Sequence, residues 1–173
     1  MHNLNTQIRI LENGGVPAKS VVVLSSYHHK NTEKVAKVFA KVLDAEIKTP
    51  RQINPEELQE YRLIGFGSGI YDGKNHRDLL NLADKLPQVT NGKAFIFSTS
   101  GVAKKNQPEI HLPLIEKLQS KGYTIVDEFN CKGFNTNSFL RLFGGMNKGR
   151  PNAEDLQRAK DVAQNLKQKL HEK

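Results

Sequence analysis

The sequence predicts a doubly wound α/β fold, a five-stranded parallel sheet with helices on both faces. Short apolar runs of strand length alternate with stretches whose apolar residues recur at helical spacing, which implies parallel crossovers. The first run, Ser20–Ser25, is continuously β-branched or apolar, as expected of a strand buried on both faces. The segments between strands and helices gather Gly, Ser, Thr and Asn.

Each element follows from local signals. After the first strand, Val35, Val38, Phe39, Val42 and Leu43 form a helical stripe, with Asn31 or Thr32 as the expected N-cap. Ala45–Lys48 is a second, weaker strand, and Asn54-Pro55 starts a short helix. Tyr61–Phe66 is a third strand that leads into Gly65-Phe-Gly-Ser-Gly69. Asn75 opens a helix whose inner face is Leu79, Leu82, Ala83 and Leu86. Ala94–Phe97 is the fourth strand. The helix over 109–121 turns Leu114, Ile115 and Leu118 inward, begins late or kinks because of Pro113, and stops at Gly122. Tyr123–Phe129 is the fifth strand, 130–151 is irregular, and Asn152 caps a final helix carrying Leu156, Ala159, Ala163, Leu166 and Leu170. Residues 1–18 read as an N-terminal extension and 19–173 as the domain.

Composition narrows the function classes. With 37% hydrophobic and 25% charged residues among 173, the chain is globular. The single Cys131 rules out an intramolecular disulfide and a cysteine-rich zinc site, and reads as a packed residue. No apolar run approaches a membrane span and no secretory signal is visible, so a cytoplasmic location is expected. His28 and His29 lack Asp, Glu or Cys at ligand spacing, so no metal site is expected; His111 reads as a helix-surface residue.

In doubly wound sheets, ligands bind beyond the C-terminal ends of the strands. Four segments lie there: 26–31, 68–77, 99–108 and 130–151. They carry +1, +1, +2 and +4, which together equal the chain's net charge of +8. The cations are Lys30, Lys74, Arg77, Lys104, Lys105, Lys132, Arg141, Lys148 and Arg150, against Asp72. A basic ligand edge favours anionic ligands and acidic partners. Nucleic acid is disfavoured, because the charge surrounds a cleft and no RNA or DNA motif accompanies it.

The first of these segments, Ser26-Tyr-His-His-Lys-Asn-Thr32, leads into a helix, and a helix start with hydroxyls is an anion site. With the following Ala36 and Val38 it resembles the opening of the flavodoxin family, whose loop is commonly Ser/Thr-x-Thr-Gly-Asn-Thr. Asn31, Thr32, Ala36 and Val38 match; Tyr27, His29 and Lys30 stand where Ser/Thr, Thr and Gly are usual. Gly67-Ser-Gly-Ile-Tyr-Asp-Gly73 and Ser98-Thr-Ser-Gly101 resemble the two family loops that flank the flavin ring, and the stretch from Gly133 to Asp155 is similar to one in many such proteins.

The resemblance implies strand order 2-1-3-4-5 and noncovalent FMN. Its binding residues would be Ser26, Tyr27, His28, His29, Lys30, Asn31 and Thr32 around the phosphate. Ser68, Gly69, Ile70, Tyr71, Gly73, Ser98, Thr99, Ser100 and Gly101 would lie around the ring. It also implies a peptide near Gly69–Gly73 that flips on reduction. No catalytic side chain is required, since the cofactor carries the redox chemistry. The implied function is electron transfer to a redox partner protein or a small anionic substrate. The alternative is an FMN-dependent reductase or oxidase acting on NAD(P)H, a quinone or a porphyrin. A third reading is a binding module that kept the fold without the flavin, its support being the altered Tyr27, His29 and Lys30.

Overall fold

The computed structural model describes residues 19–27, 29–102, 108–136 and 140–171, without the side chains of 108, 140 and 141. The expected extension at 1–18, His28, Lys104 and Lys105 therefore lie outside the described residues, as does the Arg141 side chain. The strands are β1 (Ser20–Ser25), β2 (Ala45–Lys48), β3 (Leu63–Tyr71), β4 (Lys74–Asn75), β5 (Gly92–Ser100) and β6 (Tyr123–Lys132). The α-helices are α1 (Asn31–Leu43), α2 (Arg77–Lys85), α3 (Leu112–Ser120) and α4 (Ala153–His171).

The main path of the sheet is parallel in the order β2-β1-β3-β5-β6, which is the doubly wound arrangement expected; β4 is a two-residue strand antiparallel to the end of β3. Strand alternation sends side chains to two cores. Val21, Val23, Ile64, Phe66, Ala94 and Ile96 pack against Leu79, Leu82, Leu114 and Leu118 of α2 and α3. Val22, Leu24, Leu63, Phe95, Phe97 and Phe129 pack against Val35, Phe39, Ala159, Ala163 and Leu166 of α1 and α4.

Three of the strands run further than the apolar runs suggest. β3 continues through the glycine-rich stretch to Tyr71, β5 runs to Ser100 and β6 to Lys132. Gly65 and Gly67 sit opposite Phe95 and Phe97 on the neighbouring strand. A Cβ on Gly65 would lie 2.3 Å from the Phe95 ring, and one on Gly67 2.0 Å from the Phe97 ring. These glycines make room for two rings that Phe39 of α1 then covers at 4.9 and 5.0 Å between centroids. Asp72 and Gly73 form the tight turn to β4, both with positive φ as a two-residue hairpin loop demands.

Two caps differ from expectation. The chain enters α1 through His29 and Lys30, both left-handed (φ 53° and 52°), so Asn31 and Thr32 are already helical and neither caps. Helix α2 starts at Arg77 with His76 as its cap, its ring nitrogen accepting from the Asp78 N–H; Asn75 is instead a buried strand residue. The other signals hold: α3 begins late, at Leu112, and Asn152 and Asp155 exchange side-chain-to-backbone hydrogen bonds of 3.0 Å ahead of α4.

Candidate functional site

Beyond the C-terminal ends of β1, β3, β5 and β6 lies a cleft of about 340 Å³. Its walls are Ser26, Tyr27, His29, Asn31 and Thr32 from the first loop, Gly69, Ile70 and Tyr71 from the end of β3, and Thr99, Ser100 and Gly101 from the end of β5. Segments far apart in sequence are thus brought together by parallel strand order. Gly133, Phe134, Asn135 and Thr136 complete the lining; they belong to the irregular stretch after β6, whose place among the loops at that edge and whose resemblance to a family stretch were the signals for it, though neither singled out these four as lining.

The remaining expected residues stand elsewhere. Ser68 and Ser98 lie fully buried beneath the cleft. Ser68 Oγ accepts from Asn75 Nδ2 at 3.1 Å and from the His76 N–H at 3.0 Å. Lys30 points to solvent, 4.0 Å from Glu33, and Gly73 is at the exposed tip of the β3–β4 hairpin.

The start of α1 has no side-chain cap, so its first N–H groups keep their capacity to bind an anion. Asn31 and Thr32, freed from capping, reach across the cleft floor. Asn31 Nδ2 donates to the Phe134 carbonyl at 2.8 Å, and the Thr32 and Thr99 hydroxyls are 2.8 Å apart. Asn31 Oδ1 and Ser100 Oγ are buried with no hydrogen-bond partner in the protein. Unpaired buried polar atoms cost roughly 1–3 kcal/mol each, and a ligand with hydroxyls would satisfy both.

Left-handed backbone costs a residue with a Cβ about 1–2 kcal/mol relative to glycine. Lys30→Gly should therefore raise stability by about 0.5–1 kcal/mol, the rest being lost to the freer unfolded chain. Urea denaturation checks this; an unchanged midpoint would mean that the loop carries no strain there.

One wall is aromatic. The His76 ring lies 4.8 Å from that of Tyr27 and 5.1 Å, edge-on, from that of Tyr71. His76 Nδ1 accepts from Asp78 N–H at 3.2 Å and is 3.1 Å from Ser25 Oγ. That acceptor role fixes a neutral ring, and burial holds its pKa below the ordinary histidine value. The Tyr27 hydroxyl donates to Asp78 Oδ2 at 2.5 Å; this bond raises its pKa, while burial raises that of Tyr71. Tyr71 folds back over Gly69, where an added Cβ would meet its ring at 3.0 Å.

Beneath the end of β5 is a buried polar chain that the sequence did not suggest. Asn130 Nδ2 donates to Ser98 Oγ at 2.6 Å, Ser98 Oγ is 2.7 Å from His111 Nε2, and His111 Nδ1 is 2.8 Å from Glu128 Oε2. His111 is 2% exposed, so the expected surface position is corrected: it precedes α3 and points inward. Ser98 is wholly inaccessible, so this series is structural, not nucleophilic. Cys131 is packed as expected, its thiol pushed up to about 12 by burial. Among the described residues, no group of three His, Cys, Asp or Glu is placed to hold a metal ion, and no helix is long and apolar enough to cross a membrane.

The family model for the flavodoxin domain matches residues 21–146, which spans all four strands that border the cleft. The chain belongs to the flavodoxin family. This flavodoxin-family chain is 45% identical over 148 residues to an uncharacterized protein of Methanocaldococcus jannaschii, covering 86% of this chain and 97% of the relative. Among solved structures it is similar to a flavodoxin from the domain Archaea (TM-score 0.63, 19% identity), covering 88% of this chain and 99% of that one. Oxidised flavodoxin 2 from Bacillus cereus gives a TM-score of 0.66 at 19% identity with the same coverage. The flavodiiron protein from Giardia intestinalis matches 96% of this chain with 39% of its own length (TM-score 0.61, 15% identity). At these identities the structural matches speak for the shared fold.

Proposed function

We propose that the protein binds FMN noncovalently in this cleft and transfers electrons through it. The observation that carries the reading is a cleft with two partnerless buried oxygens on its lining residues, Asn31 Oδ1 at the uncapped start of α1 and Ser100 Oγ at the end of β5. The N–H groups at the start of α1 would hold the phosphate, with Ser26, His29 and Thr32 beside them. Asn31 Oδ1 and Ser100 Oγ would accept from the polyol hydroxyls. Gly69, Ile70 and Tyr71 would face one side of the ring, and Thr99 to Gly101 its polar edge. Bound FMN supplies one- and two-electron redox chemistry; the chain binds, orients and tunes it.

Exposed Lys74, Lys132 and Lys148 stand at the same edge of the sheet, which supports an acidic redox partner or a small anionic substrate. They also support a second reading, a reductase or oxidase turning over NAD(P)H, a quinone or a porphyrin. Steady consumption of NAD(P)H by the flavin-loaded protein distinguishes the two.

Calorimetric titration with FMN and riboflavin tests the site. FMN is expected to bind at least about tenfold tighter, since each hydrogen bond to a charged group is worth roughly 1.5–3 kcal/mol. Equal affinities would remove the phosphate assignment at the start of α1.

A further inference from the structure

We propose that Leu142 and Phe143 form a docking tip by which the protein sits on an anionic lipid bilayer. The two side chains enter the headgroup layer, and the lysines near them in the chain face its charge. Such docking does not depend on what the cleft binds.

Among the described residues, Leu142 and Phe143 are the two most exposed large apolar side chains, at 80% and 73%. They are consecutive, lie in the short 3-10 turn Leu140–Phe143, and belong to neither core. Apolar residues exposed singly are ordinary; a contiguous pair on a projecting loop, with charge beside it, marks an interaction site. The fold holds the pair outward. Asn135 and Met146 exchange backbone hydrogen bonds of 2.9 and 2.7 Å, which closes the base of the loop. Asn147 Nδ2 ties that base to the ends of β5 and β6, donating to the Gly101 carbonyl at 2.7 Å and to the Gly133 carbonyl at 3.3 Å. On the returning arm, a Cβ on Gly145 would lie 2.6 Å from the Phe134 ring and 2.9 Å from Thr136 Cγ2, so the two arms are packed together. Val102, also exposed, follows Gly101 at the same rim.

Charge selects the surface that would take this tip. From 129 to 153 the chain has no Asp or Glu, but it carries Lys132, Arg141, Lys148 and Arg150. Arg150 is engaged by Asp155 at 2.7 Å, while Lys132 and Lys148 are exposed. A protein partner would have to supply a pocket for the tip and a standard interface of roughly 800 Å² per side. A bilayer needs no matching shape: it takes Leu and Phe into its interface and attracts Lys and Arg through anionic headgroups. Each signal is weak alone, and together they give reversible attachment. Residues 133–136 at the foot of the loop line the cleft, so attachment puts the cleft mouth beside the lipid.

The test is flotation of the full chain with vesicles of phosphatidylcholine alone and of phosphatidylcholine and phosphatidylglycerol in equal parts. The parent is expected to bind the anionic vesicles at least about tenfold tighter than the neutral ones. Leu142→Ser/Phe143→Ser should lose at least about tenfold on the anionic vesicles. A second arm does not depend on a loss of binding. The chain contains no Trp, so Phe143→Trp provides a unique fluorescent reporter, whose emission should shift to the blue on the anionic vesicles. Equal affinity of the parent and the double serine variant overturns the proposal, and so does an emission that stays put in vesicle-bound Phe143→Trp; charge alone then accounts for the binding. A parent that binds neither vesicle overturns it too, and leaves a protein surface as the partner of the tip. None of these outcomes bears on the flavin reading, which the titration with FMN decides.

Discussion

Gly67→Ala is expected to destabilise the protein by about 3 kcal/mol, the upper part of the range for overpacked cores. The added Cβ would lie 2.0 Å from Phe97, whose ring is fully buried. The ring has nowhere to go: its centroid is 5.8 Å from that of Phe95, and Phe39 covers both. For a chain of this length the loss corresponds to a fall in Tm of roughly 6–12 °C. Thermal and urea unfolding of Gly67→Ala, Phe97→Leu and the double variant would measure it. The double variant should recover at least about 1 kcal/mol relative to the sum of the singles, as neighbours in contact do. Strict additivity would show that the glycine is not there for the ring.

His111→Ala should cost about 3 kcal/mol, since it opens a cavity and takes from Ser98 Oγ and Glu128 Oε2 their shared partner. It should also change the dependence on pH. Burial holds the His111 pKa below the ordinary value, partly opposed by Glu128. A lowered pKa means that the folded state binds fewer protons than the unfolded one as pH falls. The stability is then fully present above the unfolded value, about 6.5, and is lost as pH drops through it toward the lower folded value. His76 is shifted in the same direction, so the parent should weaken below about pH 6.5 through both rings. Urea unfolding across this range should give a shallower acid slope for His111→Ala than for the parent. Equal slopes would mean that His111 does not titrate with unfolding.

Both results concern residues whose meaning depends on distant partners. Gly67 stands in a glycine-rich stretch that resembles a flavin loop, and five of the seven residues of that stretch belong to β3. Hydropathy could not show this, because glycine carries no side chain from which to read alternation. Asn31 and Thr32 have the chemistry of N-caps, yet two left-handed residues bring the helix start forward and free both side chains. Their partners, Phe134 and Thr99, lie 103 and 67 residues away. His111 borders an amphipathic helix and reads as exposed until β5 and β6 supply Ser98 and Glu128.

The sequence by itself determined the order and type of the main elements, because apolar period and chain breakers are local. It also determined which loops meet, since strands separated by helical crossovers run parallel and their C-terminal ends share one edge. Resemblance in three of those loops added the strand order and the family. Only the tertiary structure decided which side chains on that edge face the cleft and which are used up in holding it. Ser68 and Ser98 are bonded beneath it, while Asn31 and Ser100 keep an acceptor open. The placement of 133–136 against the cleft was equally out of reach, because this segment has no period and its hydrogen bonds run to loops from both ends of the domain. Local pattern encodes whether a residue is strand, helix or turn; its hydrogen-bond partner is set by the packing of segments that are remote in the chain.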